Sequence, residues 1–387
     1  MIQIPENKYI IVQNTHLSFI KKSVRDAIQF YINICDVISG TLSVGELSKN
    51  ITPALKKTAI KSFLLPISTK AYKELVNIEK IFNDKSFHCD FLEYISQIKA
   101  FLKEMLNPSS FMYMENILTQ SPEKLMPLYL DIVARYSDFK TLDGGLVFEQ
   151  AKTNKGTIFG VLEKIFNYDN FRDGKLVHGW GAYQLCKELN INVCPYCNRM
   201  YTFTVVNQGE NITRPELDHY FPRSKFPIFS LSFFNLIPSC KVCNSSMKKD
   251  DYLELTKYLH PYRDALFPAY KFDFLSLDLD AMEGKNKNNK IFINKNGFTD
   301  EKSDNFLEKF LIEQIYANHS DIIPKYIKKH KSYPDSAMEE LSKLLKVEKK
   351  ELLANLYNPI HSSELIDTSL GKFKMDLYEK FLRFYKL

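Results

Sequence analysis

Apolar residues recur three or four positions apart through residues 24–37, 71–82, 91–105 and 125–136, the spacing of helices with one buried face. The chain from about Lys21 to Asn167 therefore reads as a helical scaffold. Turn signals interrupt it at Asn107-Pro108-Ser109-Ser110, Ser121-Pro122 and Asp143-Gly144-Gly145. Before it, Ile10, Ile11 and Val12 allow a short strand. A Gly-spaced stretch from Asp173-Gly174 to Gly179-Trp180-Gly181 leads into a short helix over 182–189. Beyond His260-Pro261-Tyr262, an aromatic stretch over 267–279 precedes a Lys/Asn-rich run over 284–290, read as an exposed hairpin or loop. Helical periodicity returns at 306–317, 338–357 and 375–385. There is no internal repeat.

The chain has 387 residues, 45% of them hydrophobic, enough for at least one sizeable core. Lys plus Arg number 52 against 46 Asp plus Glu, and the net charge of +6 permits a nucleic-acid partner without demanding one. No run approaches the roughly 18 to 20 apolar residues of a membrane helix. Glu6 and Lys8 interrupt the segment where a secretion signal would be apolar, so a soluble, cytoplasmic protein with no membrane partner is expected. The cysteines number seven, an odd count. Cys35, Cys89 and Cys186 are scattered, whereas Cys194/Cys197 and Cys240/Cys243 form two C-x-x-C pairs. In a reducing cytosol that pattern points to metal rather than disulfides.

A C-x-x-C pair can place two sulfurs at adjacent corners of a tetrahedron about 2.3 Å from one zinc ion, and two pairs fill all four corners. Such a Zn²⁺ is structural, because no corner is left for water. A redox role for Cys194-Pro195-Tyr196-Cys197 is the alternative. The second pair and the lack of a βαβ pattern count against it. Between and beside the pairs lie Glu216-Leu217-Asp218-His219-Tyr220-Phe221-Pro222, Asn235-Leu236-Ile237-Pro238-Ser239-Cys240 and Cys243-Asn244-Ser245-Ser246-Met247-Lys248. Hydrolysis of a phosphodiester needs a base for water, a cation for the charge growing on phosphate, and a means of holding the base. His219 suits the base, with an ordinary pKa near 6.5. Asp218, its neighbour on a strand, faces the other side, where its carboxylate can turn to a metal.

From Cys194 to Lys249 the chain resembles the HNH endonuclease family of the zinc-framed ββα-metal type, and within it most nearly the HNH nuclease components of Septu-type bacterial anti-phage systems. The resemblance covers roughly sixty residues. It implies an α+β fold, mostly helical, with a central treble-clef-like, zinc-bound ββα-metal module. The expected divisions are an N-terminal helical domain over 1–172, the nuclease module over 173–265 and a mainly helical region over 266–387.

The resemblance further implies metal-dependent hydrolysis of DNA to 5′-phosphate and 3′-hydroxyl ends. His219 would be the general base, Asn235 would orient the backbone beside it, and Asp218 and Asn244 would bind a catalytic Mg²⁺ or Mn²⁺. For Asn235 a local turn role is the competing reading. Arg223, Lys225, Lys248 and Lys249 are candidate DNA contacts, although a solvated helix face accounts equally well for the two lysines at 248 and 249. DNA is the expected partner, with an ATPase of a defence system beside it. The competing function is a zinc module that binds nucleic acid or protein without cutting it.

Overall fold

The computed structural model describes residues 1–39, 41–42, 89–138, 158–207 and 210–385. The helix expected over 71–82 and the turn at Asp143-Gly144-Gly145 lie outside the described residues. The fold is mixed α and β. Among the described residues, long and short helices accompany three two-stranded sheets, and the chain divides into two compact units.

These units do not follow three consecutive segments. The first holds Met1–Lys8, Asn190–Leu217 and Pro238–Leu387, and the second holds Tyr9–Leu189 and Asp218–Ile237. The two units are interleaved along the chain, and positions 172 and 265 each fall inside one of them. The physical reason is the composition of the excursion 218–237, whose aromatic residues pack among the N-terminal helices. Phe226 meets Tyr129 edge-on at 5.0 Å between ring centroids, and Phe234 meets Tyr9 at 5.5 Å.

Nearly all of helix α1 (Glu6–Ile38) belongs to the second unit. The strand allowed near residues 10–12 is not formed. Val12, His16, Ile20, Val24 and Ile28 follow one another four apart and are all buried, while Ile10 and Ile11 face out. That long stripe outweighs the local β preference of three β-branched residues. Helices α2 (Cys89–Leu106), α3 (Met114–Thr119) and α4 (Pro122–Arg135) follow, with Pro122 in the first turn of α4, where its missing N–H costs nothing. Helix α5 (Ile158–Ile165) is buried except at Glu163 and Lys164, α6 (Tyr168–Arg172) is capped by the Asn167 side chain on Asn170 N at 2.9 Å, and α7 (Ala182–Leu189) closes the series.

In the first unit, β1 (Val205–Asn207) and β2 (Glu210–Thr213) form an exposed antiparallel hairpin. Strands β3 (Glu216–His219) and β4 (Leu236–Ser239) form the second sheet, and the division between units falls within both strands. Strands β5 (Lys271–Ser276) and β6 (Asn289–Asn294) pair antiparallel from Lys271↔Asn294 to Ser276↔Asn289, and the short helix α8 (Leu279–Met282) lies between them. The aromatic stretch thus supplies one strand of a hairpin, and the Lys/Asn-rich run belongs to its connection and enters β6 only at Asn289 and Lys290. Phe272 stacks on Tyr316 at 4.3 Å and meets Phe373 edge-on at 5.4 Å.

The helical segment expected over 306–317 appears as α9 (Glu301–Lys309) and α10 (Ile312–Ala317), broken at Leu311. After α11 (Ile323–Ser332), the segment expected over 338–357 appears as α12 (Asp335–Leu345) and α13 (Lys349–Tyr357), broken at Lys346. Helix α14 (Gly371–Leu382) ends the described fold.

Candidate metal centre and histidine site

The metal centre lies wholly in the first unit. Cys194, Cys197, Cys240 and Cys243 are buried, and their four sulfurs lie within 4.8 Å of one another. The Sγ atoms of Cys197 and Cys240 are 4.0 Å apart. A tetrahedron of radius about 2.3 Å has edges of about 3.8 Å, so this sulfur cage fits one Zn²⁺. Burial pushes the Cys194 thiol well above its ordinary pKa, and a cation is what would hold the group as thiolates. Among the described residues, this is the single group of three or more His, Cys, Asp or Glu that could hold a metal. Of the scattered cysteines, Cys35 and Cys186 are buried, and burial raises the Cys35 thiol to about 12, the state of an inert core residue.

Local backbone chemistry shapes each knuckle. Asn198 adopts a left-handed φ of 50°, a conformation Asn tolerates better than most residues. The turn closes through Asn198 N to Cys194 O at 2.8 Å and Cys194 N to Met200 O at 2.9 Å. The C-terminal region bolts onto it. Asn198 Nδ2 donates to the carbonyls of Leu365 (2.7 Å) and Thr368 (3.1 Å), and Tyr316 Oη donates to Cys197 O at 2.7 Å. The segment Val242–Lys248 winds as a π-helix, whose wider turn is visible in the bond from Lys249 N to Asn244 O at 2.7 Å.

Glu216 has no assigned role in the sequence reading, yet it fixes Asn244. Asn244 Nδ2 donates to Glu216 Oε2 at 2.9 Å, and Ser245 Oγ donates to the same oxygen at 2.7 Å. A carboxylate only accepts, so the amide nitrogen faces Glu216 and Oδ1 remains the acceptor end, a hard oxygen of the kind Mg²⁺ takes.

The histidine site lies in the second unit. His219 is half-buried, and its Nε2 lies 3.0 Å from the carbonyl oxygen of Ser230. A carbonyl can only accept, so Nε2 carries the proton and Nδ1 carries the lone pair. Tyr168 packs edge-on against the imidazole at 4.3 Å. Asp218 is buried in the same unit, whereas Asn244 belongs to the first.

Asn235 is fully buried, and its amide is attached at both ends to backbone near the histidine. Its Oδ1 accepts from Phe221 N (2.7 Å), and its Nδ2 donates to Phe221 O (3.1 Å) and Phe229 O (2.9 Å). Two residues that the sequence reading gave no part here also attach to this turn. His16 Nε2 lies 2.9 Å from Leu231 O, and Trp180 Nε1 donates to His16 Nδ1 at 3.1 Å.

The candidate DNA contacts divide. Lys225 and Lys249 are exposed. Arg223 is exposed but pairs with Asp169 Oδ1 at 3.1 Å, and its guanidinium lies over Tyr168 at 5.5 Å. Lys248 is a correction: its side chain is fully buried, because the wide π-helical turn carries it inward, so it offers no surface ammonium to a phosphate.

Among the described residues, no helix is long and apolar enough to cross a membrane. No family model and no solved structure matches the chain. It is similar to Protein ea31 of Escherichia phage lambda, with 34% identity over 73 residues, and the chain spans about a fifth of that relative's length: the match covers 18% of this chain and 21% of the phage protein.

Proposed function

We propose that this chain is a metal-dependent endonuclease of the HNH, ββα-metal type, with a structural zinc in its four-cysteine cage and His219 as general base. The observation that carries the reading is the bond of His219 Nε2 to the Ser230 carbonyl at 3.0 Å, which leaves the basic lone pair on Nδ1. In the proposed reaction, Nδ1 takes a proton from water, the water oxygen attacks phosphorus, and the bond to the 3′ oxygen breaks. The leaving oxygen picks up a proton, giving a 5′-phosphate and a 3′-hydroxyl. The Ser230 carbonyl stabilises the imidazolium that forms.

Asp218 and Asn244 are the oxygen donors the reading assigns to Mg²⁺ or Mn²⁺, and such an ion, when bound, offsets charge on the phosphate. DNA is the proposed substrate. Nuclease action within a bacterial anti-phage system, controlled by an ATPase, is the proposed setting, and co-purification of such a partner tests it.

Incubation with supercoiled plasmid, with and without Mg²⁺, tests the activity. His219→Ala is expected to slow nicking by about 10²- to 10⁴-fold while zinc content stays the same. Cleavage at the wild-type rate in that variant would remove His219 from the role. A zinc-framed binding module without catalysis is the second reading. The buried four-cysteine cage supports it equally, and plasmid that is bound but never nicked would favour it.

A further inference from the structure

The turn over residues 229–232 is gripped at every position. Asn235 Nδ2 holds Phe229 O at 2.9 Å, His219 Nε2 holds Ser230 O at 3.0 Å, His16 Nε2 holds Leu231 O at 2.9 Å, and Ser232 Oγ donates to Ile117 O at 2.6 Å. Two histidines therefore take consecutive carbonyls of one turn.

His16 is itself fixed from both sides. The indole N–H of Trp180 can only donate, which makes His16 Nδ1 the acceptor, and the Leu231 carbonyl can only accept, which makes Nε2 the donor. Both partners demand the same tautomer. Burial keeps the ring neutral by lowering its pKa to about 4. Phe19 stacks on Trp180 at 5.1 Å with the rings 4° from parallel, and Phe171 meets His16 edge-on at 5.4 Å. A space-filling core residue needs none of this directionality. Leucine would fill the volume but would strand the Trp180 donor and the Leu231 acceptor, each a buried polar group without a partner.

We propose that His16 and Trp180 are positioning residues for the proposed nuclease: by bracing the Leu231 carbonyl they fix the turn that presents the Ser230 carbonyl to His219, and so hold that imidazole in the tautomer with its lone pair on Nδ1. This inference rests on the reading of His219 as the base. It also gives the N-terminal helices a part in the chemistry, because His16 lies on α1.

The test labels the histidines of the full chain with ¹⁵N and reads the His219 tautomer from long-range ¹H–¹⁵N spectra. Wild type should show His219 protonated at Nε2, and His16→Leu should show a mixture of tautomers. His16→Gln, whose amide can still donate toward Leu231 O, should restore the single form. In the nicking assay, His16→Leu should lose about 10- to 100-fold in kcat with KM unchanged, and His16→Gln should recover most of it.

Trp180→Phe keeps the aromatic volume without the N–H and should give the same tautomer mixing in a weaker form; it decides the matter if His16→Leu fails to fold. An unchanged His219 tautomer in the folded variants overturns the brace. Tautomer mixing in a protein that never nicks DNA would instead leave the brace standing and overturn the reading of the base.

Discussion

Asn235 attaches both ends of its amide to the backbone around His219, so its contribution to stability can be separated from its shape. Asn235→Asp keeps the volume and the acceptor but loses the donor to two buried carbonyls. It should cost roughly 2–5 kcal/mol, read by urea denaturation. His16 makes a second prediction at this scale. Its folded pKa of about 4 lies below the ordinary 6.5, so between those values the unfolded chain binds the extra proton. Stability from this group is therefore complete above about pH 6.5 and lost as pH falls toward 4, by up to about 3 kcal/mol. His16→Gln should flatten the melting temperature over that window. The part of His16 is not visible in sequence, because His16 and its carbonyl partner are 215 residues apart and no local spacing marks such a pair.

At the scale of the element, the helices over 24–37, 91–105, 125–136 and 182–189 were legible because one buried face imposes its period on the sequence. The two helix breaks in the C-terminal region were not. Leu311 (φ 47°) and Lys346 (φ 55°) take left-handed conformations without Gly, Pro or Asn to announce them, so tertiary packing decides where those helices stop. Asn198 is the readable counterpart, a left-handed Asn directly after a C-x-x-C pair. Its side chain also receives the N–H of Lys372 at 2.8 Å and reaches Leu365 O and Thr368 O. Asn198→Ala loses those bonds and adds backbone strain, whereas Asn198→Gly loses the bonds alone. The alanine variant should be the less stable of the two by about 1 kcal/mol, measured by chemical denaturation.

Across the whole molecule, the two cysteine pairs were readable because covalent spacing alone brings each pair of sulfurs close, and the meeting of the pairs follows once a metal is assumed. The proposed zinc predicts one equivalent per chain by elemental analysis. Chelation or Cys240→Ser should unfold the first unit, since a structural zinc accounts for apparent binding free energies of about 10–16 kcal/mol. The division into units was not readable, because it depends on what the aromatic residues of 218–237 pack against rather than on any linker.

The backbone passes between the two units after Lys8, Leu189, Leu217 and Ile237, so neither is a continuous piece of polypeptide. A gene fragment cut at 173 and 265 would sever Phe226 from Tyr129 and His219 from Tyr168, leaving a sticky, half-dressed core. The cysteine-framed segment is therefore expected to need the helices that precede it in order to cover these aromatic residues.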